Sequence, residues 1–238
     1  AYTVSPVHSM NSWLDLAKQI EDAGADSVAI KDMAGLLKPN AAFELVSNLK
    51  ENISVPIHMQ THATTGFSTA TNMKAIEAGI DNIDTSISSM SMTYGHTATE
   101  TIVSMFDDTN LFSDIDKNLF PELSTHFKKI RKKYELFEGS LKGVDASMLI
   151  NQVPGGMLSN LESQLREMDA DDKFEDVLNE IPRVRQDLGF VPLVTPSSQI
   201  VGAQALFNVL DNERYKHLNI ETVNLILGKY GKVPGKIN

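Results

Sequence analysis

Three polar side chains with nitrogen or oxygen donors recur at every second residue of one apolar stretch. The stretch Val55–Gly66 reads VPIHMQTHATTG, and it begins with β-branched residues and ends on hydroxylated residues and a glycine. This pattern predicts a buried strand that leads into a loop. Because side chains alternate along a strand, His58, Gln60 and His62 share one face. Buried polar groups need partners, so the face is either a hydrogen-bonded ladder or a metal or catalytic centre at the carboxyl end of the strand.

A second candidate for chemistry is Lys31, which ends the short apolar stretch Ser27–Ile30. A lysine at a strand end usually extends its amine to solvent. A buried lysine, in contrast, shifts its pKa readily and becomes available for covalent chemistry. The residue pattern alone leaves both interpretations open.

The elements that must position these residues repeat along the first half of the chain. Strand patterns begin near Ser27, Val55 and Asn82, which are 28 and 27 residues apart, and helix patterns lie between them at 41–49 and 69–78. This spacing predicts parallel βα units. A doubly wound sheet is less favoured than a barrel because no glycine-rich phosphate-binding fingerprint follows any strand. With a further strand near Tyr2, we expect the C-terminal half of a (β/α)8 TIM-type barrel, which places the functional residues on one rim.

The remainder of the chain has helical periodicity from Phe112 onward. We therefore expect an α/β fold in which residues 1–110 are the half barrel, residues 111–230 are a helical region and residues 231–238 begin a linker. A basic run at 128–133 is interpreted as a solvated helix face rather than a site for an anionic partner.

Composition limits the possible functions. The chain has 238 residues, no cysteine and a net charge of -10. A disulfide framework and cysteine zinc sites are thereby excluded, and nucleic-acid binding is disfavoured. No apolar run approaches the roughly 20 residues that span a bilayer, and no signal peptide opens the chain. We expect a cytoplasmic protein that reaches the inner membrane only through partner subunits, and a chain starting at Ala1 without Met is expected to be a piece of a longer protein.

Four motifs give the chain a family resemblance. They are AIKDMAGLLKP at 29–39, IDTSISSMS at 83–91, VPGGM at 153–157 and VTPSS at 194–198. Together they resemble the biotin-dependent carboxyltransferases, which include the carboxyltransferase domain of pyruvate carboxylase, transcarboxylase and the α subunit of oxaloacetate decarboxylase. The spellings HATTG and TYGHTATE look most similar to the oxaloacetate decarboxylase branch.

The resemblance implies a reaction. Oxaloacetate would lose its carboxyl group to enzyme-linked biotin and leave pyruvate, and a pyruvate carboxylase subunit working in the reverse direction is the alternative. Aldol-type lyases on similar barrels share a His-x-His strand, but the KDMAG motif argues against them. The implied partners are a biotin carrier domain on a segment absent from this chain, other copies of the protein in a homo-oligomer, and membrane-bound subunits. The helical region would form a funnel over the barrel mouth.

The resemblance also implies site residues. Lys31 would be carboxylated to a carbamate that ligates a divalent metal (Zn, Mn or Co), and His62 would be a further ligand. Thr195 would carry a proton between biotin and the enolate of pyruvate, with Ser198 beside it at the biotin site. Thr195 has an alternative role as a helix N-cap.

Two departures from the family pattern affect this interpretation. Gln60 stands where the family has its first metal-binding histidine, and an amide oxygen suits oxygen-preferring ions better than zinc. The glutamine is a tolerated ligand, a sign of a weakened or metal-free site, or a deliberate substitution. The first-strand motif with its aspartate and arginine, and a biotin-bearing segment, are not in this chain. We therefore expect the chain alone to be inactive, and a non-catalytic scaffold with an impaired metal site is the remaining alternative.

Overall fold

The computed structural model describes residues 1–112, 114–139 and 141–238. It divides into two compact units. Residues 10–146 form what we call the α/β unit, and residues 1–9 together with 147–238 form the helical unit. The predicted division into functional domains at residue 110 stays a prediction.

The α/β unit alternates helices with the strands of one parallel sheet. Its sheet has three strands in the order β1-β2-β3. The register places Lys31 opposite Gln60 and His58 opposite Asn82. The predicted parallel βα repeat is therefore confirmed for these strands. The elements are α1 (Met10–Asp22), β1 (Val28–Asp32), α2 (Pro39–Asn52), β2 (Ile57–Thr61), α3 (Ser68–Glu77), β3 (Asn82–Ile83), α4 (Thr99–Met105) and α5 (Phe120–Lys133).

The sheet has one apolar face and one polar face. Ile57 and Met59 of β2 are fully buried, and β2 contacts α2 and α3. His58 and Gln60 alternate with them and are only half-buried. Because Lys31 pairs with Gln60, its side chain lies on the face of His58 and Gln60, whereas the buried Asp32 and Thr61 end the opposite face. The alternation predicted from the sequence is confirmed, although His62 lies just beyond the end of β2.

Two strand predictions were wrong in extent. Residues 1–9 form no strand, because Thr3 Oγ1 and the Val4 carbonyl accept hydrogen bonds from the Arg185 guanidinium instead of joining a ladder. The strand predicted at 82–87 stops at Ile83. Beyond it the chain pairs locally, since the Ser86 N–H donates to the Thr97 carbonyl and Ser86 bridges to Ala98.

The helical unit confirms the helical pattern of the second half. It contains α6 (Met148–Asn151), α7 (Gly155–Glu167), α8 (Phe174–Asp187), α9 (Ser197–Leu210) and α10 (Ile220–Ile226). Apolar side chains of α7, α8 and α9 form its core, as Leu165, Val177, Ile181 and Val201 are fully buried. In the described part of the chain, no helix combines the length and the apolar character needed to cross a membrane.

Candidate active site

Lys31 lies at the carboxyl end of β1 on the polar face of the sheet. Its neighbour across the ladder is Gln60, and its side chain is half-buried. Within the described residues neither side chain forms a hydrogen bond or an ion pair. An amine and an amide without protein partners therefore stand side by side at the predicted rim.

The backbone around Lys31 is held by the next residue, Asp32. The carboxylate of Asp32 is fully buried and accepts hydrogen bonds from the N–H groups of Leu36 (2.9 Å) and Leu37 (3.0 Å) and from the Thr61 hydroxyl (2.9 Å). Burial raises the pKa of Asp32, while these donors favour its charged form and oppose the rise. Asp32 thus closes the loop after β1 and joins the end of β1 to the end of β2.

His62 has a defined tautomer and a neutral ring. Its Nδ1 lies 2.6 Å from the backbone carbonyl oxygen of Tyr94. A carbonyl only accepts, so Nδ1 carries the proton and Nε2 keeps its lone pair. Burial lowers the pKa of His62, the hydrogen bond to Tyr94 opposes this, and the charges of His96 and Lys31 lower it further. The neutral ring with a free Nε2 is the form that binds metal ions.

His96 is a candidate that the sequence pattern did not single out. Its Nδ1 lies 3.0 Å from the Thr61 carbonyl oxygen, and its ring centroid is 4.8 Å from that of His62. In the sequence analysis, TYGHTATE serves only as a family marker. The available signal was the position of His96 in the loop after a strand, on the same rim as Lys31.

His58 is engaged deeper in the sheet. Its Nε2 lies 2.6 Å from Asp84 Oδ1. His58 is thus already paired with Asp84, below the rim that carries Gln60.

The loops that carry Lys31 and His62 pack against each other through Gly35. Gly35 has a φ of +66°, and a Cβ there would lie 2.6 Å from the His62 carbonyl oxygen. The Thr65 hydroxyl donates to the Gly35 carbonyl at 2.5 Å. The glycine therefore permits both the backbone conformation and the close approach of the two loops.

Thr195 and Ser198 lie in the helical unit, at the start of α9. Thr195 is exposed and Ser198 is buried. The suggestion that Thr195 caps the helix is wrong, because Pro196 occupies the cap position and no side chain caps the helix there. The adjacent Ser197 hydroxyl instead bonds the Pro192 and Val194 carbonyls, which leaves the Thr195 side chain to solvent. Roles for Thr195 and Ser198 toward biotin stay predictions.

Comparison with known proteins places this geometry in a family. Residues 5–126 match the HMGL-like family and residues 148–238 match a conserved carboxylase domain. A pyruvate carboxylase subunit of Methanocaldococcus jannaschii is 52% identical over the whole chain, which covers 42% of that protein. The methylmalonyl-CoA carboxyltransferase 5S subunit of Propionibacterium freudenreichii subsp. shermanii is 48% identical over 98% of the chain and 46% of the relative. The chain belongs to the biotin-dependent carboxyltransferase family.

The similarity to solved carboxyltransferases extends over both units. The carboxyl transferase domain of Rhizobium etli pyruvate carboxylase, solved with pyruvate and biocytin, matches with a TM-score of 0.93 and 31% identity over 98% of this chain and 42% of that domain's chain. The chain thus spans less than half the length of the carboxyltransferases that it matches.

The residues at this rim fit a divalent metal by the chemistry of their donors. No group of three or more His, Asp or Glu side chains within the described residues is arranged to hold a metal ion. His62 nevertheless presents a neutral imidazole whose other nitrogen is fixed by a carbonyl, which is typical of metal-binding histidines. Gln60 adds an amide oxygen, and Lys31 adds a ligand only if its amine becomes a carbamate. A free ammonium has no lone pair to give.

Proposed function

We propose that the protein containing this chain transfers a carboxyl group between biotin and the pair of 2-oxo acids oxaloacetate and pyruvate. The observation that carries the proposal is the convergence of Lys31, Gln60 and His62 on one rim of the sheet in a member of this family. The relative solved with pyruvate and biocytin supports pyruvate and biotin as the two molecules between which the carboxyl group moves.

In the proposed step, the bond from the carboxyl carbon to C3 of oxaloacetate breaks, and that carboxyl group forms a bond to the ureido nitrogen of biotin. The proton lost by this nitrogen goes to C3 of the enolate, which becomes pyruvate. The exposed hydroxyl of Thr195 is proposed to carry the proton, and Ser198 is proposed to support the biotin site beside it.

The metal centre is part of the proposal. A bound divalent cation would stabilise negative charge on the enolate oxygen. Lys31, carboxylated on its amine, and His62 would hold that cation. The neutral state of His62 follows from its burial and its fixed tautomer. The metal's identity as Zn, Mn or Co stays a prediction.

The architecture around the site is proposed on the same grounds. The three parallel strands are proposed to belong to a (β/α)8 barrel, and the helical unit to the funnel over its mouth. The biotin carrier domain, the homo-oligomer, the membrane-bound partner subunits and the cytoplasmic location stay predictions.

The same carboxyl transfer can run in either of two directions. The HATTG and TYGHTATE spellings favour decarboxylation of oxaloacetate, whereas the name of the Methanocaldococcus relative favours carboxylation of pyruvate. Measuring product formation from each acid by the full-length protein with its biotin carrier would decide between them.

Replacing Lys31 tests the proposal itself. We expect Lys31→Ala to abolish exchange of the carboxyl group between oxaloacetate and pyruvate in the full-length, biotinylated protein, because the change removes the amine that would form the carbamate. Lys38→Ala is the matched control, since Lys38 lies exposed at the end of the same loop and should leave exchange unchanged. Retained exchange in Lys31→Ala would refute the role of Lys31, whereas a lack of exchange by the unchanged full-length protein would favour the scaffold interpretation.

A further inference from the structure

His62 and His96 are tied together by reciprocal hydrogen bonds. The His62 ring donates from Nδ1 to the Tyr94 carbonyl, two residues before His96. The His96 ring donates from Nδ1 to the Thr61 carbonyl, one residue before His62. Between these bonds the Ala63 N–H donates to the Gly95 carbonyl at 2.8 Å. The loop after β2 and the loop after β3 therefore hold each other's histidine in place.

This arrangement gives both rings the same tautomer. Each Nδ1 faces a carbonyl that can only accept, so the neutral form of each ring carries its proton on Nδ1 and has its lone pair on Nε2. Neither Nε2 has a hydrogen-bond partner in the part of the chain that the structure describes. Histidines that bind metals typically donate their other nitrogen to a carbonyl or carboxylate.

The two rings are also close enough to serve one ion. Their centroids are 4.8 Å apart and their planes are tilted by 50°. Metal–nitrogen bonds of about 2.0–2.1 Å place two imidazole nitrogens on one tetrahedral ion roughly 3.3 Å apart, which rings at this separation can reach.

We propose that His96 is the second imidazole ligand of the metal centre and supplies the nitrogen that the family's first metal histidine provides elsewhere. The assignment rests on the proposed function, which includes that metal centre. It gives Gln60 a physical explanation: the glutamine is tolerated because a histidine from the loop after β3 reaches the ion. The site therefore keeps two imidazole ligands, and one of them comes from the loop after β3 instead of from β2.

The competing role for His96 is that of a tether between loops. His96→Asn separates the two roles, because the asparagine side-chain N–H can still donate to the Thr61 carbonyl but no group remains at the position of Nε2. His96→Gln is the complement, since its longer amide places a weaker donor near the position of Nε2. His126→Ala is the control for loss of a histidine, because His126 is exposed on α5.

The experiment uses the full-length protein with Cu2+ as an imidazole-counting probe in pulsed electron paramagnetic resonance, and Co2+ for affinity. We expect two bound imidazoles in the unchanged protein and in His126→Ala, and one in His96→Asn. Co2+ affinity should fall at least tenfold in His96→Asn and by less in His96→Gln. A tether alone would not change the number of imidazoles.

The outcomes separate the two proposals. If the unchanged protein binds Cu2+ and Co2+ through one imidazole, or if His96→Asn keeps two, the assignment of His96 is overturned while the metal centre stands. If the unchanged protein binds neither ion, the metal centre of the proposed function fails and the assignment fails with it. The count in the unchanged protein is decisive even if a variant does not fold.

Discussion

At the scale of single residues, the site depends on which atom of each polar side chain is already occupied. His58 is committed to Asp84, and the Nδ1 atoms of His62 and His96 are committed to backbone carbonyls. The Gln60 amide and the Lys31 amine are uncommitted within the described residues. Only atoms that are not already used can serve a metal or a substrate, so the site consists of the uncommitted atoms at the rim.

Gln60 provides the first test at this scale. If Gln60 weakens the site, Gln60→His should raise Co2+ affinity on the order of tenfold, because an imidazole nitrogen is a better ligand for Co2+ than a neutral amide oxygen. If His96 already supplies the second imidazole, the affinity should change little. The measurement is calorimetric titration of the full-length protein. Gln19→His adds a histidine on the exposed surface of α1 and should leave the affinity unchanged. An unchanged or lower affinity in Gln60→His would count against a weakened site at this position.

The protonation of His62 gives a pH dependence. Its pKa in the folded protein lies below the ordinary value of 6.5. Below pH 6.5 the unfolded chain therefore binds more protons at this residue, and stability falls as pH drops from 6.5 toward the folded pKa. We expect His62→Gln to flatten the decline in melting temperature between pH 7 and pH 5, measured without added metal. His126→Gln should leave the decline as it is, and an unaltered slope in His62→Gln would contradict this assignment.

At the scale of elements, the strands and helices could be predicted because strand and helix patterns alternate along the chain at the spacing of parallel βα units. The strands predicted near Ser27 and Val55 are β1 and β2, and the helix pattern predicted at 41–49 lies within α2. The loops could not be predicted in the same way. The contact of His96 with His62 depends on hydrogen bonds between residues more than 30 positions apart, and local patterns do not encode them. The missing strand at Tyr2 has the same cause, since Arg185 lies far along the chain.

The packing of the loops after β1 and β2 can be tested at Gly35. A Cβ at Gly35 would meet the His62 carbonyl at 2.6 Å in a backbone with φ of +66°. We expect Gly35→Ala to displace the loop that carries His62, and to lower both metal affinity and carboxyl exchange at least tenfold.

Gly24→Ala is the matched control for this change. Gly24 also has a positive φ of +91°, but no atom lies within 4 Å of its Cβ position. The Gly24→Ala variant should lose only about 1–2 kcal/mol of folding stability, which is the cost of a side chain in this left-handed conformation. Equal effects of both changes on metal affinity would show that close packing at Gly35 is unimportant to the site.

At the scale of the whole molecule, each unit has its own interior, and the α/β unit exposes apolar side chains just after α5. Helix α5 of the α/β unit has no buried residue in the described chain, and Leu136 and Phe137 just after it are 96% and 83% exposed. Monomeric soluble proteins rarely expose large contiguous apolar patches. This surface agrees with the prediction that other parts of the protein, or other copies of it, pack on the chain.

The helical unit depends on one buried arginine to hold residues 1–9. The Arg185 side chain donates to the Thr3 hydroxyl, the Val4 carbonyl, the Val191 carbonyl and Gln152 Oε1, and burial lowers its pKa. We expect Arg185→Met to leave these acceptors without donors, at a cost of about 1–3 kcal/mol for each one that stays buried. Hydrogen exchange at residues 2–5 should accelerate, because their anchor is lost while the core of α7, α8 and α9 remains.

Arg183→Met removes a mostly exposed arginine from the same helix and should change stability by less than about 1 kcal/mol. If both variants exchange at the same rate at residues 2–5, Arg185 does not hold this segment, and some other contact must account for its place in the helical unit.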